Sequence, residues 1–310
     1  MSSRSWRGRW MLAQTLLGRR RGVFIPYRYA DALRLNGAGS ADGGADSDAP
    51  AYPEMATVFA ACDAEMAALL ETVESHAADL LVIAGEDGHD QTHAAGKDSD
   101  AGARRGPRFD QGWFPTLDAA VAYGLVRREQ PKRVVEAGSG HSTRFLARAV
   151  RDGGLATAIT AIDPAPRAPL PAGVRHIAGL VERSGTAPWD GLEAGDLAVI
   201  DSSHVAVAGG DVDFLFGRIL PRLAEGVVVH VHDVFLPDGY PAAWAWRGYG
   251  EQSLVAALLA GGGWRVLFAS HWAAQRFAQS IAGGVVRRLP HHPAAQPTSL
   301  WLRKIAPAVR

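Results

Sequence analysis

A glycine turn between an apolar run and a helical pattern holds residues that can bind a nucleotide-like ligand. The apolar run contains the acid Glu136 near its end, and Gly138 and Gly140 follow within four residues. Two glycines let a ligand approach the backbone closely, and the unpaired amides of the next helix face the same turn. Ser142 and Thr143 can cap that helix. These residues predict an adenosine cofactor at the turn.

The same residues discriminate between adenosine cofactors. A dinucleotide-binding turn reads G-x-G-x-x-G, and its third glycine allows close packing of the helix. Here Thr143 stands in the third position, and Glu136 would repel a pyrophosphate, whereas it can meet a cationic amino-acid group. This favours S-adenosylmethionine over NAD. Asp163 ends a second apolar run about 20 residues further on, where either class of cofactor has an acid that binds the ribose.

The side chains that end the fourth and fifth apolar runs can do acid–base chemistry or bind a metal. Asp201 and His204 follow the fourth run, and His232 and Asp233 follow the fifth. In open α/β sheets ligands bind outside the carboxyl ends of the strands, so we expect these side chains near the cofactor. Asp201, His232 and Asp233 can bind a divalent cation such as magnesium. The alternative is a metal-free pocket, in which Asp201 and Asp233 hold the substrate and His204 or His232 is the base.

The elements that must position these residues alternate along the chain. Continuous apolar runs, which are typical of strands buried on both faces, are separated by helical patterns. This order predicts an α/β fold with a parallel sheet covered by helices on both faces. The predicted strands are 133–137, 158–162, 174–177, 197–200, 227–231, 265–268 and 299–302, and the helices among them are 117–126, 144–151, 212–223 and 253–260.

Five sequence motifs, in this order, resemble the class I S-adenosylmethionine-dependent methyltransferases. They are VVEAGSGHSTRFLARA, LAVIDSSHV, GDVDFLFGRILPRL, GVVVHVHDVFLPDGYPAAW and the helix that begins with Glu251. The motifs are most similar to a bacterial group whose fourth and fifth strands end in IDSSH and HxHD, related to the cephalosporin-hydroxylase-like and catechol O-methyltransferase-like branches. The resemblance extends from about Trp113 to Leu302. It implies a Rossmann-like, seven-stranded, mostly parallel sheet whose last strand is reversed.

The resemblance also implies roles for the residues of the turn and of the second strand. The turn, with its preceding acid, lines the methionine part of the cofactor, and the acid that ends the second strand binds the ribose. Residues that cap the helix and end the fourth strand complete the cofactor site. The predicted cofactor-binding residues are Glu136, Gly138, Gly140, Ser142, Thr143, Asp163 and Asp201.

A metal site is implied for part of the same group. In the metal-dependent branches an acid at the end of strand four and a polar pair at the end of strand five hold magnesium. Asp201, His232 and Asp233 match these positions. His232 is a departure from the pattern, because imidazole is a poor magnesium ligand. We therefore expect S-adenosylmethionine with or without a divalent metal such as magnesium.

The predicted reaction is in-line transfer of a methyl group to an oxygen or nitrogen of a small acceptor. The cofactor is already activated, so the protein has to align the acceptor and exclude water. The predicted catalytic residues are His204, His232 and Asp233, with one histidine as base. Aromatic residues at 244–249 are candidates for a wall over the acceptor.

Two other classes of function fit parts of the sequence. A metal-dependent hydrolase would use His230 and His232 as ligands, but it leaves the glycine turn unexplained. His230 lies within a predicted strand, where we expect a hydrogen-bonded core histidine. A non-catalytic scaffold that keeps the adenosine fold would bind the cofactor without turnover.

Composition bounds the partners and the location. Lys+Arg and Asp+Glu number 32 each in 310 residues, so no overall charge attracts the protein to nucleic acid, and a small molecule is the expected partner. The single cysteine, Cys62, excludes an internal disulfide and fits a reducing compartment. No apolar run approaches the roughly 20 residues that span a bilayer. We expect a cytoplasmic protein without stable membrane insertion.

An arginine-rich segment opens the chain. Residues 1–30 hold seven arginines and no acid. This composition fits a transit peptide, a segment that touches anionic membrane, or a solvated arm or helix packed on the main domain. Residues 37–51 and 86–107 have the composition of linkers.

The remaining N-terminal pattern is helical. Apolar residues from Met55 to Leu81 recur at helical spacing and predict one long amphipathic helix, which would cover the core or a partner subunit. A homo-oligomer through this helix is one consequence. We expect residues 1–110 to form an extension and residues 111–310 to form the methyltransferase domain.

Overall fold

The computed structural model describes residues 51–90 and 106–309. Their strands form a single seven-stranded sheet in the order β3-β2-β1-β4-β5-β7-β6. The seventh strand runs antiparallel to both neighbours, and the other pairs are parallel. The mostly parallel sheet with a reversed last strand is thereby confirmed. The strands are β1 (Arg133–Ala137), β2 (Ala158–Ile162), β3 (Arg175–Ile177), β4 (Leu197–Ile200), β5 (Val228–Val231), β6 (Trp264–Ala269) and β7 (Leu300–Lys304).

Buried apolar runs identify the central strands well. Every residue of β4 and β5 is buried, as expected for parallel strands covered on both faces. The last strand was predicted to end two residues too early. It continues through Lys304, because the buried ammonium of this lysine donates hydrogen bonds to the carbonyls of Leu220 and Pro221 at 2.9 and 2.7 Å. A charged residue thus continues the strand where the apolar pattern stops.

Helices connect the strands and cover the sheet. The predicted helix at 144–151 begins three residues earlier, at His141, because Thr143 Oγ1 accepts a hydrogen bond from the Gly140 N–H at 3.0 Å and caps the first turn. The predicted helix at 212–223 is α-helical only at its start and continues as a π-helical turn (Leu215–Ile219) and a 3₁₀ turn (Leu220–Arg222). The described helices are α1 (Pro53–Ala60), α2 (Asp63–Ser75), α3 (Ala77–Asp90), α4 (Thr116–Glu129), α5 (His141–Asp152), α6 (Asp211–Phe214), α7 (Glu251–Ala260), α8 (Ser270–Arg276) and α9 (Ala278–Gly283).

The sheet order reverses between β1 and β4. The crossover from β1 to β2 moves one way along the sheet, and that from β4 to β5 moves the other way, so right-handed connections place their helices on opposite faces. A crevice opens outside the carboxyl ends of the two strands where the order reverses. The glycine turn after β1 and the polar residues after β4 therefore meet at this crevice.

The close approach of these two strand ends requires a glycine. Gly138 has a φ of +79°, and a Cβ atom built there would lie 1.7 Å from the carbonyl oxygen of Asp201. No residue with a side chain can take this position without displacing the end of β4. The glycine predicted to admit a ligand thus also allows β1 and β4 to close together.

The predicted long N-terminal helix is broken into α1, α2 and α3. The backbone leaves helical geometry at Cys62, with φ −107° and ψ 7°, and at His76, with φ −102° and ψ 17°. The breaks let each short segment direct its apolar residues onto the same core. Phe59, Met66 and Leu80 are fully buried in a core that they share with the sheet. The expectation that this stripe covers a core is confirmed, whereas the single continuous helix was wrong.

The linker predicted from residue 86 also begins too early. α3 continues to Asp90, and Glu86 forms an ion pair with Arg148 on α5 at 2.5 Å. Residues 1–30, the predicted linker up to residue 50, and residues 91–105 lie outside the described residues. Within the described ranges, no helix combines the length and apolar character needed to cross a bilayer.

Candidate active site

A cavity of about 410 Å³ lies at the carboxyl ends of β1, β2 and β4. It is bounded by the glycine turn, by the loop after β2 and by the polar loop after β4. Five of the seven predicted cofactor-binding residues line it, whereas Glu136 and Thr143 do not. The five are Gly138, Gly140, Ser142, Asp163 and Asp201.

Glu136 supports the turn from below. Its side chain is fully buried, and its two carboxylate oxygens accept hydrogen bonds from the hydroxyls of Ser142 and Thr143, each at 2.6 Å. Burial outweighs these two bonds and raises the pKa of Glu136 to about 8. In this structure the carboxyl group holds the first turn of α5, and its contact with the methionine part of a cofactor stays a prediction.

Asp163 is held at the cavity wall by the turn. One carboxylate oxygen accepts hydrogen bonds from the Ser139 backbone N–H at 2.7 Å and from its hydroxyl at 3.0 Å, and the other accepts from the Ala165 N–H at 2.7 Å. A carboxylate has about four acceptor sites, so capacity remains for the hydroxyl groups of a ribose. The rigid acid and the open glycine cradle fit an adenosine cofactor.

Two buried histidines converge on the acids after β4 and β5. His204 Nε2 lies 3.4 Å from Asp201 Oδ1 and 3.6 Å from Asp233 Oδ2. His232 Nδ1 lies 3.4 Å from the same Asp201 oxygen and 3.6 Å from Asp233 Oδ1. The structure therefore brings together all four residues predicted at these strand ends.

The cavity reaches this cluster through Asp201. His204, His232 and Asp233 are buried behind the lining, which at this end includes Asp201, the two following serines and Tyr249. The Tyr249 ring lies 4.8 Å from that of His204, measured between centroids. Asp201 is thus the member of the cluster that a bound molecule meets first.

The acids determine the charge of the cluster. Burial lowers the pKa of His204 and His232, but the surrounding carboxylates outweigh burial and raise both well above the usual value. Burial likewise opposes ionisation of Asp201, and the charge of His232, with the hydrogen bonds from both histidines, holds its pKa well below the usual value. These shifts favour protonated histidines and an ionised Asp201 near neutral pH.

Each histidine has a further acid on its far side. His204 Nδ1 lies 2.8 Å from Glu251 Oε2 at the start of α7, and His232 Nε2 lies 3.6 Å from Asp118 Oδ2 on α4. Both acids are fully buried, and neither was predicted as a site residue. The available signal was a carboxylate on an otherwise apolar helix face, since Asp118 shares a face with Val121 and Leu125.

The backbone of this region is unusual at two of the predicted catalytic residues. His204 and Asp233 have φ values of +59° and +55°, a conformation that L-residues other than glycine adopt rarely. The carbonyl of His204 accepts hydrogen bonds from the N–H groups of Gly250 and Glu251 at 2.9 and 3.2 Å, which ties the loop to α7. Such conformations concentrate at functional sites, where surrounding contacts hold them.

His230 is separate from this cluster. It is fully buried, its Nε2 lies 2.8 Å from the Ser299 hydroxyl, and its ring centroid lies 4.4 Å from that of Trp301. Burial lowers its pKa to about 3. The expectation of a hydrogen-bonded core histidine is confirmed, and His230 does not line the cavity.

The predicted aromatic wall is only partly at the cavity. Tyr249 lines it, and Trp244 packs behind Tyr249 with ring centroids 5.9 Å apart. Trp246 is 81% exposed and does not line the cavity. Arg247 stacks on Trp244, with its guanidinium carbon 3.7 Å from the ring centroid. Its Nη1 lies 3.8 Å from Asp233 Oδ2.

The fit to a divalent metal is poor in this geometry. The described residues contain no group of three or more His, Cys, Asp or Glu side chains arranged to hold a metal ion. The carboxylates of Asp201 and Asp233 instead face imidazole nitrogens at 3.4 to 3.6 Å, so protonated histidines stand where a cation would be expected.

Comparison with known proteins finds a family model that matches part of this chain. Residues 135–234, from β1 to just beyond β5, match the family model described as a methyltransferase domain. The match contains the glycine turn and both polar strand ends, and it bears out the resemblance drawn from the sequence motifs. No curated protein matches the chain.

Three solved structures are similar at low identity. The Podospora anserina methyltransferase PaMTH1, solved with SAH, is 19% identical, and the alignment covers 84% of this chain and 100% of that one with a TM-score of 0.40. The plantazolicin methyltransferase BpumL, in complex with a pentazolic desmethylPZN analog and SAH, is 14% identical. The alignment covers 75% of this chain and 100% of BpumL, with a TM-score of 0.40. The structure described as cmcI-D160 Mg-SAM is 17% identical. The alignment covers 70% of this chain and 84% of that one, with a TM-score of 0.37. Similarity this low assigns no ligand to this chain.

Proposed function

We propose that this chain, an enzyme of the class I S-adenosylmethionine-dependent methyltransferase type, methylates an oxygen or nitrogen of a small-molecule acceptor in the 410 Å³ cavity. The observation that carries the proposal is that one cavity joins the glycine turn and Asp163 to Asp201. The first two fit the cofactor, and Asp201 leads to a buried acid–histidine cluster suited to handling a proton. The matched methyltransferase domain spans all of these residues.

The cofactor supplies a methyl group that is already activated by its sulfonium. Asp163 holds the ribose hydroxyls, and the glycine turn admits the methionine part. Glu136 supports this turn through Ser142 and Thr143. The protein has to hold an acceptor in line with the methyl group and exclude water.

Asp201 is the residue that we assign to contact the acceptor. Its ionised carboxylate accepts a hydrogen bond from the acceptor hydroxyl or amine, and His204 behind it is the base that finally takes the proton. The surrounding acids raise the pKa of His204, so His204 has to release its own proton before it can act as the base. Any cation bound beside Asp201 lowers the pKa of His204, because the cation and the protonated histidine compete for the same carboxylate. His232 helps to hold Asp201 ionised, and Asp233 completes the cluster by favouring the protonated form of both histidines.

The remaining proposals concern the surroundings of the enzyme. We propose a cytoplasmic enzyme with a small-molecule substrate, because the chain carries one cysteine and equal numbers of acidic and basic residues. Residues 1–110 are proposed as an extension of a domain at 111–310. A homo-oligomer through α1–α3 would have to use their exposed faces, since their apolar residues are buried in the core of the same chain. Light scattering of the purified protein measures its oligomeric state.

Calorimetric titration tests the cofactor assignment. Wild-type protein is titrated with S-adenosylmethionine, S-adenosylhomocysteine and NAD, each with magnesium and with EDTA. Micromolar binding of the two sulfur compounds and not of NAD supports the proposal. Binding or turnover that requires magnesium would favour the alternative in which Asp201 and Asp233 hold the cation. Binding without turnover over a broad acceptor panel would favour a non-catalytic scaffold.

A variant pair links the binding to the site. Asp163→Ala removes the carboxylate that faces the ribose, and a lost hydrogen bond to a charged group lowers affinity about 10-fold or more. Asp190→Ala removes an acid far from the cavity, at an ion pair with Arg222 on the surface, and leaves the affinity unchanged. Equal affinity of both variants for S-adenosylhomocysteine would contradict the role of Asp163.

A further inference from the structure

A second cavity, of about 460 Å³, lies between α5, the start of β2 and the loop before β3. We call it the arginine groove, because Arg144, Arg148 and Arg151 line it from α5. It shares no lining residue with the cavity that joins the glycine turn to Asp201. The proposed methyl transfer therefore makes no use of this groove.

The spacing of the three arginines explains why they share one wall. Positions 144, 148 and 151 are four and three residues apart, so their side chains lie on one face of the helix. A basic helix face is ordinarily exposed to water, where it needs no partner. Here Arg144 and Arg148 are only 4% and 7% exposed. A buried charge is costly unless a group of opposite charge compensates it.

Two of the arginines have acidic partners. Arg148 Nη1 lies 2.5 Å from Glu86 Oε2, and its Nε lies 2.7 Å from Asp152 Oδ2. Arg151 is exposed, and its Nε lies 3.5 Å from the other carboxylate oxygen of Asp152. Two carboxylates thus face these two guanidinium groups, and the positive charge of Arg144 is left over.

Arg144 has no acidic partner among the described residues. Its Nε donates to the Pro169 carbonyl at 3.1 Å and its Nη1 to the Gly106 carbonyl at 3.2 Å, while no described atom accepts from its Nη2. Burial, followed by the charge of Arg108, lowers the pKa of Arg144. No acid of the described residues lines the groove. The guanidinium thus has an unused donor and an uncompensated charge at the wall of a cavity.

The rest of the groove is mainly apolar. Side chains from both walls offer hydrocarbon surface, and ligand pockets typically combine such surface with a few placed polar groups. The apolar lining residues are Pro107, Ala147, Val150, Ile159, Pro171 and Val174. A molecule that fits here has an anionic group for Arg144 and an apolar body for these side chains.

We propose that the arginine groove is a binding site for a small organic anion. The carboxylate or phosphate group of the ligand pairs with Nη2 of Arg144 and with the exposed guanidinium of Arg151, and its apolar part packs between α5 and the loop before β3. Hydrogen bonds from arginine to such groups are roughly twice as strong as neutral ones. Because the two cavities share no residue, the groove can bind this anion whether or not the other cavity holds a cofactor.

Titrations with four small molecules test this assignment. Hexanoate and hexyl phosphate carry an anionic group and an apolar chain, 1-hexanol carries the chain alone, and acetate carries the carboxylate alone. Binding to the full chain is followed by the NMR chemical shifts of the backbone amides of Ala147, Val150 and Gly173, which line the groove.

Three variants locate the anionic group. Arg144→Gln removes the buried charge, and its melting temperature is compared with that of the wild type to detect a folding defect. Arg151→Gln removes the charge of an exposed side chain, so it retains the fold and decides the test alone if Arg144→Gln does not fold. Arg222→Gln is the matched control, because Arg222 is also an exposed arginine beside an acid and does not line the groove.

Hexanoate or hexyl phosphate should bind at least about 10-fold more tightly than 1-hexanol or acetate, and the tighter of the two identifies the anionic group. Arg144→Gln should weaken binding of the anion roughly 10- to 100-fold, as for a lost hydrogen bond to a charged group. Arg151→Gln should weaken it by a smaller factor, because an exposed ion pair contributes less. The affinity for 1-hexanol should stay within about twofold in every variant, and Arg222→Gln should change none of the affinities.

Four results would overturn the proposal. Equal affinity for 1-hexanol and hexanoate would mean that charge has no part in the binding, and the absence of saturable shifts with either anion would mean that neither binds in the groove. Loss of anion binding in Arg167→Gln but not in Arg144→Gln would place the anion in the cofactor cavity. Tighter binding of hexanoate after Asp98→Asn combined with Asp100→Asn would mean that acids of this chain compete for the arginines. All four results leave the proposed function standing, because they concern only the occupant of the groove.

Discussion

His204 Nδ1 and Glu251 Oε2 lie 2.8 Å apart, and both side chains are buried. The two residues are 47 positions apart in the chain and meet because the His204 carbonyl accepts the N–H groups that begin α7. A carboxylate on Nδ1 fixes the orientation of the ring and leaves Nε2 pointing towards Asp201. Glu251 is thus the residue that holds the proposed base in place.

Glu251→Gln tests this positioning role. The amide keeps the shape of the side chain but removes the charge that supports a protonated His204. We expect turnover to fall about 100-fold, within the range of general-base contributions, while affinity for S-adenosylhomocysteine stays within about twofold. Rate and calorimetric measurements are compared with Glu193→Gln, an exposed acid that should change neither. A drop in cofactor affinity alone, with turnover retained at saturation, would show that Glu251 serves the cofactor pocket instead.

Gly138→Ala tests the closure of β1 against β4. The added methyl would lie 1.7 Å from the Asp201 carbonyl oxygen, so the end of β4 or the turn has to move. We expect a loss of stability well above 1 kcal/mol, since strain at positive φ alone costs about that much. We also expect a loss of cofactor binding. The control is Gly154→Ala, which has a φ of +61° and open space around it. Thermal unfolding of the two variants separates the clash from the strain, and similar melting temperatures would contradict the clash.

Glu136 predicts a pH dependence of stability. Burial raises its pKa to about 8, so between about pH 4.5 and 8 the folded protein holds a proton that the unfolded chain has released. Stability from this group therefore falls as pH rises, by at most about 1.4 kcal/mol per pH unit. Denaturant unfolding between pH 5 and pH 8 should show a smaller decrease for Glu136→Gln than for wild type. Parallel curves for the two proteins would mean that Glu136 ionises normally.

The sequence predicted the framework of the site because apolar runs and strand ends are local signals. The bounds of β1, β2 and β4 were predicted correctly, and the residues after β4 and β5 came together because parallel strands end at the same edge. Asp118 and Glu251 were missed as site residues for the converse reason. Each lies on a helix and reaches the cluster only through tertiary packing, which periodicity does not encode.

The broken N-terminal helix shows a second limit of sequence patterns. The apolar spacing from Met55 to Leu81 indicated correctly which residues face the core. It did not indicate the breaks at Cys62 and His76, because a stripe can stay in phase across one or two non-helical residues. The curvature needed to follow the sheet is a property of the assembled core.

Met66→Ala tests whether α1–α3 fold together with the sheet. Met66 on α2 is fully buried in the core shared with the strands, and truncation of a buried methionine costs about 2–5 kcal/mol. We expect one cooperative unfolding transition at lower denaturant concentration, because the helices and the sheet bury the same core. Val82→Ala on α3 is the control, since Val82 is 55% exposed and its truncation should cost less than about 0.5 kcal/mol. Two separate transitions, with only the first shifted by Met66→Ala, would instead show that residues 1–110 form an extension that unfolds independently of the catalytic domain.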